Sequence, residues 1–250
     1  MSGAGLDLTP QAREQLGRAA LEWALRYFAE QVELPVYPTT SASELTARLA
    51  GPLPNDPQDV AGVMADFDEV ARHGRHNGHP RMFGYVQSSG SFAGVIGDLL
   101  ASAINQNVTS WRSAPAATTI EHLVIEWLKT IAGFGPGAEG VLLSGGSLAN
   151  FAGLATALRA STDVDLNQRG VGALPGRPRI YTSEMTHMSM PKAASMLGIG
   201  KDALVRIPVD ADLRMRADAL RQQVQSDRVA GFHPVCVVAT AGDVNTGAID

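Results

Sequence analysis

The stretch Val141-Leu142-Leu143-Ser144-Gly145-Gly146-Ser147-Leu148-Ala149-Asn150-Phe151-Ala152-Gly153 decides how this chain reads. Its apolar opening predicts a buried strand over 140–143, the glycine pair a turn, and the remainder a helix over 147–160. Such a turn leaves backbone N–H groups free at a helix N-terminus, where the dipole is positive, and that arrangement binds phosphate. Gly145 and Gly146 let the backbone approach an anion, and the Ser147 hydroxyl adds a donor. No lysine follows the glycines and the spacing is not G-x-G-x-x-G. The phosphate therefore belongs to something other than a nucleoside triphosphate or a dinucleotide. The plainer alternative is a tight strand-to-helix connection with no ligand.

Toward the C-terminus the pattern alternates. A polar stretch over 161–178 reads as a mobile surface loop. Strand 179–183 leads to helix 189–198, strand 203–208 to helix 216–229, and strand 234–240 follows. Strands alternating with helices imply parallel βαβ units and an α/β sheet covered on both faces. Open sheets of this kind bind ligands beyond the carboxyl ends of their strands. His187 follows strand 179–183 there, and Thr240 and Asn245 follow strand 234–240. The plainer readings are a structural histidine and an ordinary turn made flexible by Gly242 and Gly247.

Toward the N-terminus, residues 10–33 predict an amphipathic helix with Leu16, Ala20, Trp23, Ala24 and Tyr27 on one face. A proline-rich connector over 34–58 holds a short helix at 43–50, and another helix spans 58–72. The glycine-rich segment from His73 to Tyr85 must be a loop, too aromatic to be core filler alone. Helices over 91–106 and 114–132 carry continuous apolar stripes. Phe92, Val95, Ile96, Leu99, Leu100, Ala103 and Ile104 form the first; Ile120, Leu123, Val124, Trp127, Leu128 and Ile131 form the second. Ser113 is the expected N-cap of the latter, and Gly133 with Gly135-Pro136-Gly137 ends it.

At 250 residues, the chain holds one large domain, or one domain with an appendage. A net charge of −5 argues against a nucleic-acid partner. No apolar run approaches the roughly 20 residues of a membrane span. The first eight residues lack the basic and apolar regions of a signal peptide. With Cys236 as the single cysteine, no internal disulfide forms, a cytoplasmic location is the default, and that thiol is expected to be buried and inert. His73, His76 and His79 are not a metal site, because Gly74, Gly78 and Pro80 break any helix that would align them. There is no G-x-S-x-G pattern, no Ser-His-Asp arrangement and no internal repeat.

Several stretches together resemble the pyridoxal-phosphate-dependent group II decarboxylases. They are His79-Pro80-Arg81-Met82-Phe83-Gly84-Tyr85, Gly97-Asp98-Leu99-Leu100-Ala101, Asn105-Gln106-Asn107, the run from Trp111 to Thr118, and Glu121 through Trp127. Leu143 through Asn150, His187, Pro208 through Asp212, and Val238 through Gly242 continue the series. The likeness runs in order from about residue 10 to Asp250, and order and spacing make it specific where any single motif is weak.

The resemblance implies the fold type I architecture: a large α/β domain on a mostly parallel sheet, in an intertwined homodimer with the site at the interface. It implies pyridoxal 5'-phosphate as cofactor and decarboxylation of an L-amino acid to an amine and CO2. Gly146 and Ser147 match the phosphate-holding positions. His187 matches the histidine that stacks on the cofactor ring and contacts substrate, and Thr240 a threonine near the cofactor. Tyr85 and Ser88 match the loop lining the substrate pocket. Residues 1–75 become a helical dimerisation segment, with helix 10–33 packed across the partner, and 76–250 the front of the cofactor-binding domain. Asp243 departs from the family's usual threonine and is expected to face away from the phosphate. The family's cofactor-linking lysine and ring-pairing aspartate would lie past Asp250. Of the three lysines, Lys129, Lys192 and Lys201, none matches the linking position. The sheet is then incomplete at its C-terminus, and the chain reads as a truncated frame, inactive by itself. Phe83, Tyr85 and Trp111 favour an aromatic substrate, although Arg81 or Arg112 would suit an acidic one. The alternatives are an aldehyde synthase or other lyase on the same fold, a non-catalytic remnant or binding module, and a nucleotide-binding α/β domain.

Overall fold

The computed structural model describes residues 7–250. The first six residues of the leading stretch, and of the 1–75 segment, lie outside them. The chain divides into two compact units, one ending at Gln106 and the other running Asn107–Asp250.

The first unit is helical. Helix α1 (Pro10–Glu30) starts where the Thr9 hydroxyl accepts the Ala12 N–H at 3.2 Å, and Pro10 supplies the restricted φ of a first helical residue. A single 3-10 turn, Gln31–Glu33, extends it. Helix α2 (Ala42–Leu49) carries a full capping box between Ser41 and Glu44, and α3 (Val60–Arg72) is capped by Asp59. Helix α4 (Phe92–Ile104) is capped by Ser91 and ends at Asn105 in the left-handed region. Trp23 holds α1 to α3, meeting the edge of Phe67 at 4.7 Å while its indole N–H donates to Asp68 at 2.8 Å. The buried side chains among the described residues of this unit are His76 and His79. Most of the stripe read on α4 is exposed, with Ile104 at 64%, while Phe92 and Ile96 are half-buried.

The second unit is α/β. Helix α5 (Pro115–Ile131) and helix α6 (Gly146–Ala160) precede a three-stranded sheet of β1 (Pro178–Ser183), β2 (Leu204–Ile207) and β3 (His233–Val238). All pairings are parallel, in the order β2-β1-β3. Helices α8 (Ser189–Met196) and α9 (Ala217–Val229) make the crossovers. Central β1 is covered on both faces. Ile180 packs with Leu154 of α6 and Met190, Ala193 and Ala194 of α8, where alanines allow close approach. Tyr181 points the other way, and its hydroxyl donates to Asp227 of α9 at 3.0 Å. Fully burying a side chain such as Ile180 is worth about 1.5–3 kcal/mol.

Three local expectations are corrected, and the direction of the α5 stripe, which periodicity leaves open, is settled. Residues 140–143 do not form a strand, because extended backbone becomes a strand only beside a hydrogen-bonding partner, and none of the described strands pairs with it; Val141 is 63% exposed. The N-cap of α5 is Ala114; the Ser113 hydroxyl instead donates to the carbonyls of Asn107 and Ser110. The apolar stripe of α5 faces outward, with Trp127 at 61%, while Thr118, Ile125 and Lys129 turn in. The 161–178 segment contains helix α7 (Leu166–Arg169), started by the Asp165 carboxylate and ended at Gly170, and a 3-10 turn at Val171–Ala173. Cys236 is half-buried in β3, and burial pushes its thiol pKa up. No described helix is long and apolar enough to cross a membrane, and no three His, Cys, Asp or Glu among the described residues group to hold a metal.

Candidate active site at the carboxyl edge of the sheet

Gly145 ends the Leu143–Gly145 turn at φ 91°, a conformation that strains any residue with a Cβ. Its N–H donates to the Leu143 carbonyl at 2.9 Å, and its own carbonyl accepts from Leu148 and Ala149. Helix α6 then begins at Gly146 with no side-chain cap and no acidic residue in its first turn. Among the described residues, the backbone N–H groups of Gly146 and Ser147 and the Ser147 hydroxyl have no protein partner. Apart from its chain neighbours and the backbone of its own helix, a Cβ at Gly145 or Gly146 would meet no atom of the described residues within 4 Å, so the approach is open. Two free backbone donors, a free hydroxyl and the positive end of a 15-residue helix suit a phosphate dianion. The donor set fits the phosphate of pyridoxal phosphate.

His187 lies in the turn between β1 and α8, held by the Met190 N–H on its carbonyl at 3.1 Å. The ring is exposed, yet its Nδ1 is engaged. The Ser189 backbone N–H donates to it at 3.1 Å, and the Ser189 Oγ lies 2.8 Å away. Ser189 is buried, and its Oγ also accepts from Asn150 Nδ2 at 2.8 Å. Asn150 lies one turn along α6 from Gly146, so the helix that opens the anion turn is tied through Ser189 to the histidine. Asn150 and Ser189 carry no role in the sequence reading. The available signal was spacing: Asn150 shares the α6 face with Gly146, and Ser189 stands two residues after His187.

Thr240 is half-buried just beyond β3. Its N–H donates to the Asp250 carboxylate at 2.9 Å, and its carbonyl accepts the Asp250 N–H at 2.9 Å. Asp243 is buried within its own turn, where one carboxylate oxygen accepts the N–H groups of Asn245 and Thr246 and the Thr246 hydroxyl. Burial works to raise its pKa, but these donors outweigh it and hold the carboxyl below its ordinary range. The Asn245 N–H is thereby engaged in the turn. A cleft between α6 and β3 is lined by Asn150, Gly153, Met190, Val238 and Ala239.

Gly146, Ser147, His187 and Thr240 thus all belong to the second unit. Tyr85 and Ser88 belong to the first, and both are exposed. Tyr85 sits at φ 64°, unusual for an aromatic residue, with the Arg75 guanidinium 4.3 Å above its ring. Lys129 is ion-paired with Glu126 at 2.7 Å, and Lys192 and Lys201 are exposed.

A family model described as "Pyridoxal-dependent decarboxylase conserved domain" matches residues 43–250. The chain belongs to this family. An aromatic-L-amino-acid decarboxylase of Bacillus atrophaeus is 32% identical over 246 residues, covering 98% of this chain and 49% of the relative. The crystal structure of Oryza sativa TDC with PLP and tryptamine superposes with a TM-score of 0.87 at 26% identity, covering 97% of this chain and 51% of that one. A 4-hydroxyphenylacetaldehyde synthase of Rhodiola rosea superposes with a TM-score of 0.85 at 26% identity, covering 98% and 53%. The family and these folds agree with the fold type I α/β class. The chain spans about half the length of these relatives.

Proposed function

We propose that the complete protein binds pyridoxal phosphate and removes CO2 from an L-amino acid, aromatic by preference, to give an amine. The observation that carries this reading is the open N-terminus of α6, whose free Gly146 and Ser147 donors stand on the same helix as the Asn150 that engages the His187 turn. Gly146 and Ser147 hold the phosphate. His187 lies against the cofactor ring and meets the substrate, and Thr240 sits beside the cofactor. The bound cofactor supplies an electron-withdrawing ring that takes up the electron pair released when the carboxylate leaves. Tyr85 and Ser88 line the substrate pocket. The likeness to an aromatic-amino-acid decarboxylase and the exposed Phe83, Tyr85 and Trp111 support an aromatic substrate.

The exposed stripes of α4 and α5 support a second copy of the chain as partner, with residues 1–75 in the interface. A cytoplasmic location accords with the single unpaired cysteine. Lys129 is neutralised by Glu126, and Lys192 and Lys201 are solvated. None offers an amine that is both desolvated and free of an ion pair, as a covalent cofactor link requires.

Two measurements test the reading. Titrating the 250-residue chain with pyridoxal phosphate should give saturable binding that borohydride does not make permanent, and Ser147→Ala should weaken it about five-fold, the loss of one hydrogen bond. Borohydride-stable attachment would contradict the account of the three lysines. The complete protein should release CO2 from an aromatic amino acid and leave the amine. Recovery of an aldehyde instead would favour the second reading, which the likeness to the aldehyde synthase supports.

A further inference from the structure

We propose that Asn150 and Ser189 form a hydrogen-bond relay that selects the His187 tautomer with an unprotonated Nδ1 and its Nε2–H directed outward. This makes them positioning residues for the histidine, and it deepens the reading of His187 given above. The directions of the bonds follow from what each atom can do. The Ser189 backbone N–H can only donate, so His187 Nδ1, 3.1 Å away, must be the unprotonated nitrogen. The Ser189 hydroxyl, 2.8 Å from the same Nδ1, therefore directs its single proton there. Its lone pair then faces Asn150 at 2.8 Å, so the Asn150 atom in contact is the amide nitrogen. Every donor on this path points toward the imidazole.

Ser189 is buried, so its hydroxyl has no competing water and the orientation holds. The ring proton is left on Nε2, on the exposed side, where His187 presents an N–H to an anionic group of the ligand. Asn150 stands four residues after Gly146. The relay therefore sets the histidine relative to the helix whose N-terminus offers the phosphate donors.

The test is nitrogen NMR of the protein labelled with 15N at its six histidines, without cofactor, with His187 assigned by its loss in His187→Gln. In the parent, His187 Nδ1 should carry the signature of an unprotonated nitrogen. Ser189→Ala removes the hydroxyl donor and should raise the Nδ1–H fraction about five-fold, the effect of one hydrogen bond. Asn150→Asp is nearly isosteric and tests direction. A carboxylate only accepts, so the Ser189 proton turns toward it and the Oγ lone pair faces Nδ1. The Nδ1–H fraction should rise at least as far, and this variant carries the test if Ser189→Ala does not fold. An unchanged tautomer in the folded variants would overturn the relay. A shifted tautomer combined with unaltered pyridoxal phosphate binding in His187→Gln supports the relay and removes only the cofactor role of His187.

Discussion

At Gly145, φ of 91° and an unobstructed approach coincide, so conformation and access can be separated experimentally. Gly145→Ala meets no steric obstacle, yet a Cβ at this φ costs on the order of 1–3 kcal/mol. The variant should unfold at lower urea and bind pyridoxal phosphate more weakly, because the free N–H groups of Gly146 and Ser147 are aimed by this residue. Unchanged binding would mean that the turn does not set their direction. His76 makes a second residue-scale prediction. It is 1% exposed, its Nδ1 meets the Tyr27 hydroxyl at 3.1 Å, and its Nε2 has no hydrogen-bond partner among the described residues. Burial pushes its pKa below the ordinary histidine value, against a raising backbone bond. The unfolded chain then binds the proton first. The His76 contribution is fully present above about pH 6.5 and is lost as pH falls through that value toward the folded one. Stability measured from pH 7.5 down to 5.5 should fall, and less steeply in His76→Gln. Gly74, Gly78 and Pro80 argued against a helical metal face of His73, His76 and His79, but that two of them would be the buried residues among those described in this unit was not visible, because burial depends on what folds over them.

Element by element, local signals located every α-helix but the short α7, and three of the four expected strands, to within a few residues. The Ser41–Glu44 box, Asp59 and Ser91 are caps that act within one turn, and they stand where the first turns begin. Where a neighbour distant in sequence decides, local reading failed. Val141, Leu142 and Leu143 have strand-like side chains but no paired backbone, and the periodicity of α5 identified an apolar face without showing what covers it. Strand β1 and helix α9 show the converse case, a contact across 46 residues that no local pattern announced. The Asp227 carboxylate is buried and takes the Tyr181 hydroxyl at 3.0 Å and the Gln223 amide at 3.0 Å. Burial and the adjoining carboxylate together push the Tyr181 hydroxyl above the usual phenol range, keeping it a donor. Tyr181→Phe leaves one buried oxygen without its donor and should cost about 1–3 kcal/mol. Urea unfolding with an unchanged slope would report it, and a midpoint equal to the parent's would show that water replaces the phenol.

At the scale of the whole molecule, the apolar stripes of α4 and α5 make self-association the leading expectation. Leu99 and Leu100 are each 60% exposed, a degree of apolar exposure that marks an interaction surface. Sedimentation should show a species larger than the monomer, and Leu100→Gln with Trp127→Gln should reduce it while leaving the helical signal intact. A monomer at every concentration would place those stripes against something other than a second copy. The sequence by itself determined the alternation of strand and helix, the parallel sense of the sheet, the glycine turn that opens α6 and the family resemblance. Each of these rests on neighbours along the chain or on the order of motifs. Only the tertiary structure decided the strand order β2-β1-β3, the outward face of α5, and the link from Asn150 through Ser189 to His187. Those depend on which distant segments lie side by side, and a hydrogen bond across 39 residues exists only once the sheet and its crossover helices have set both ends.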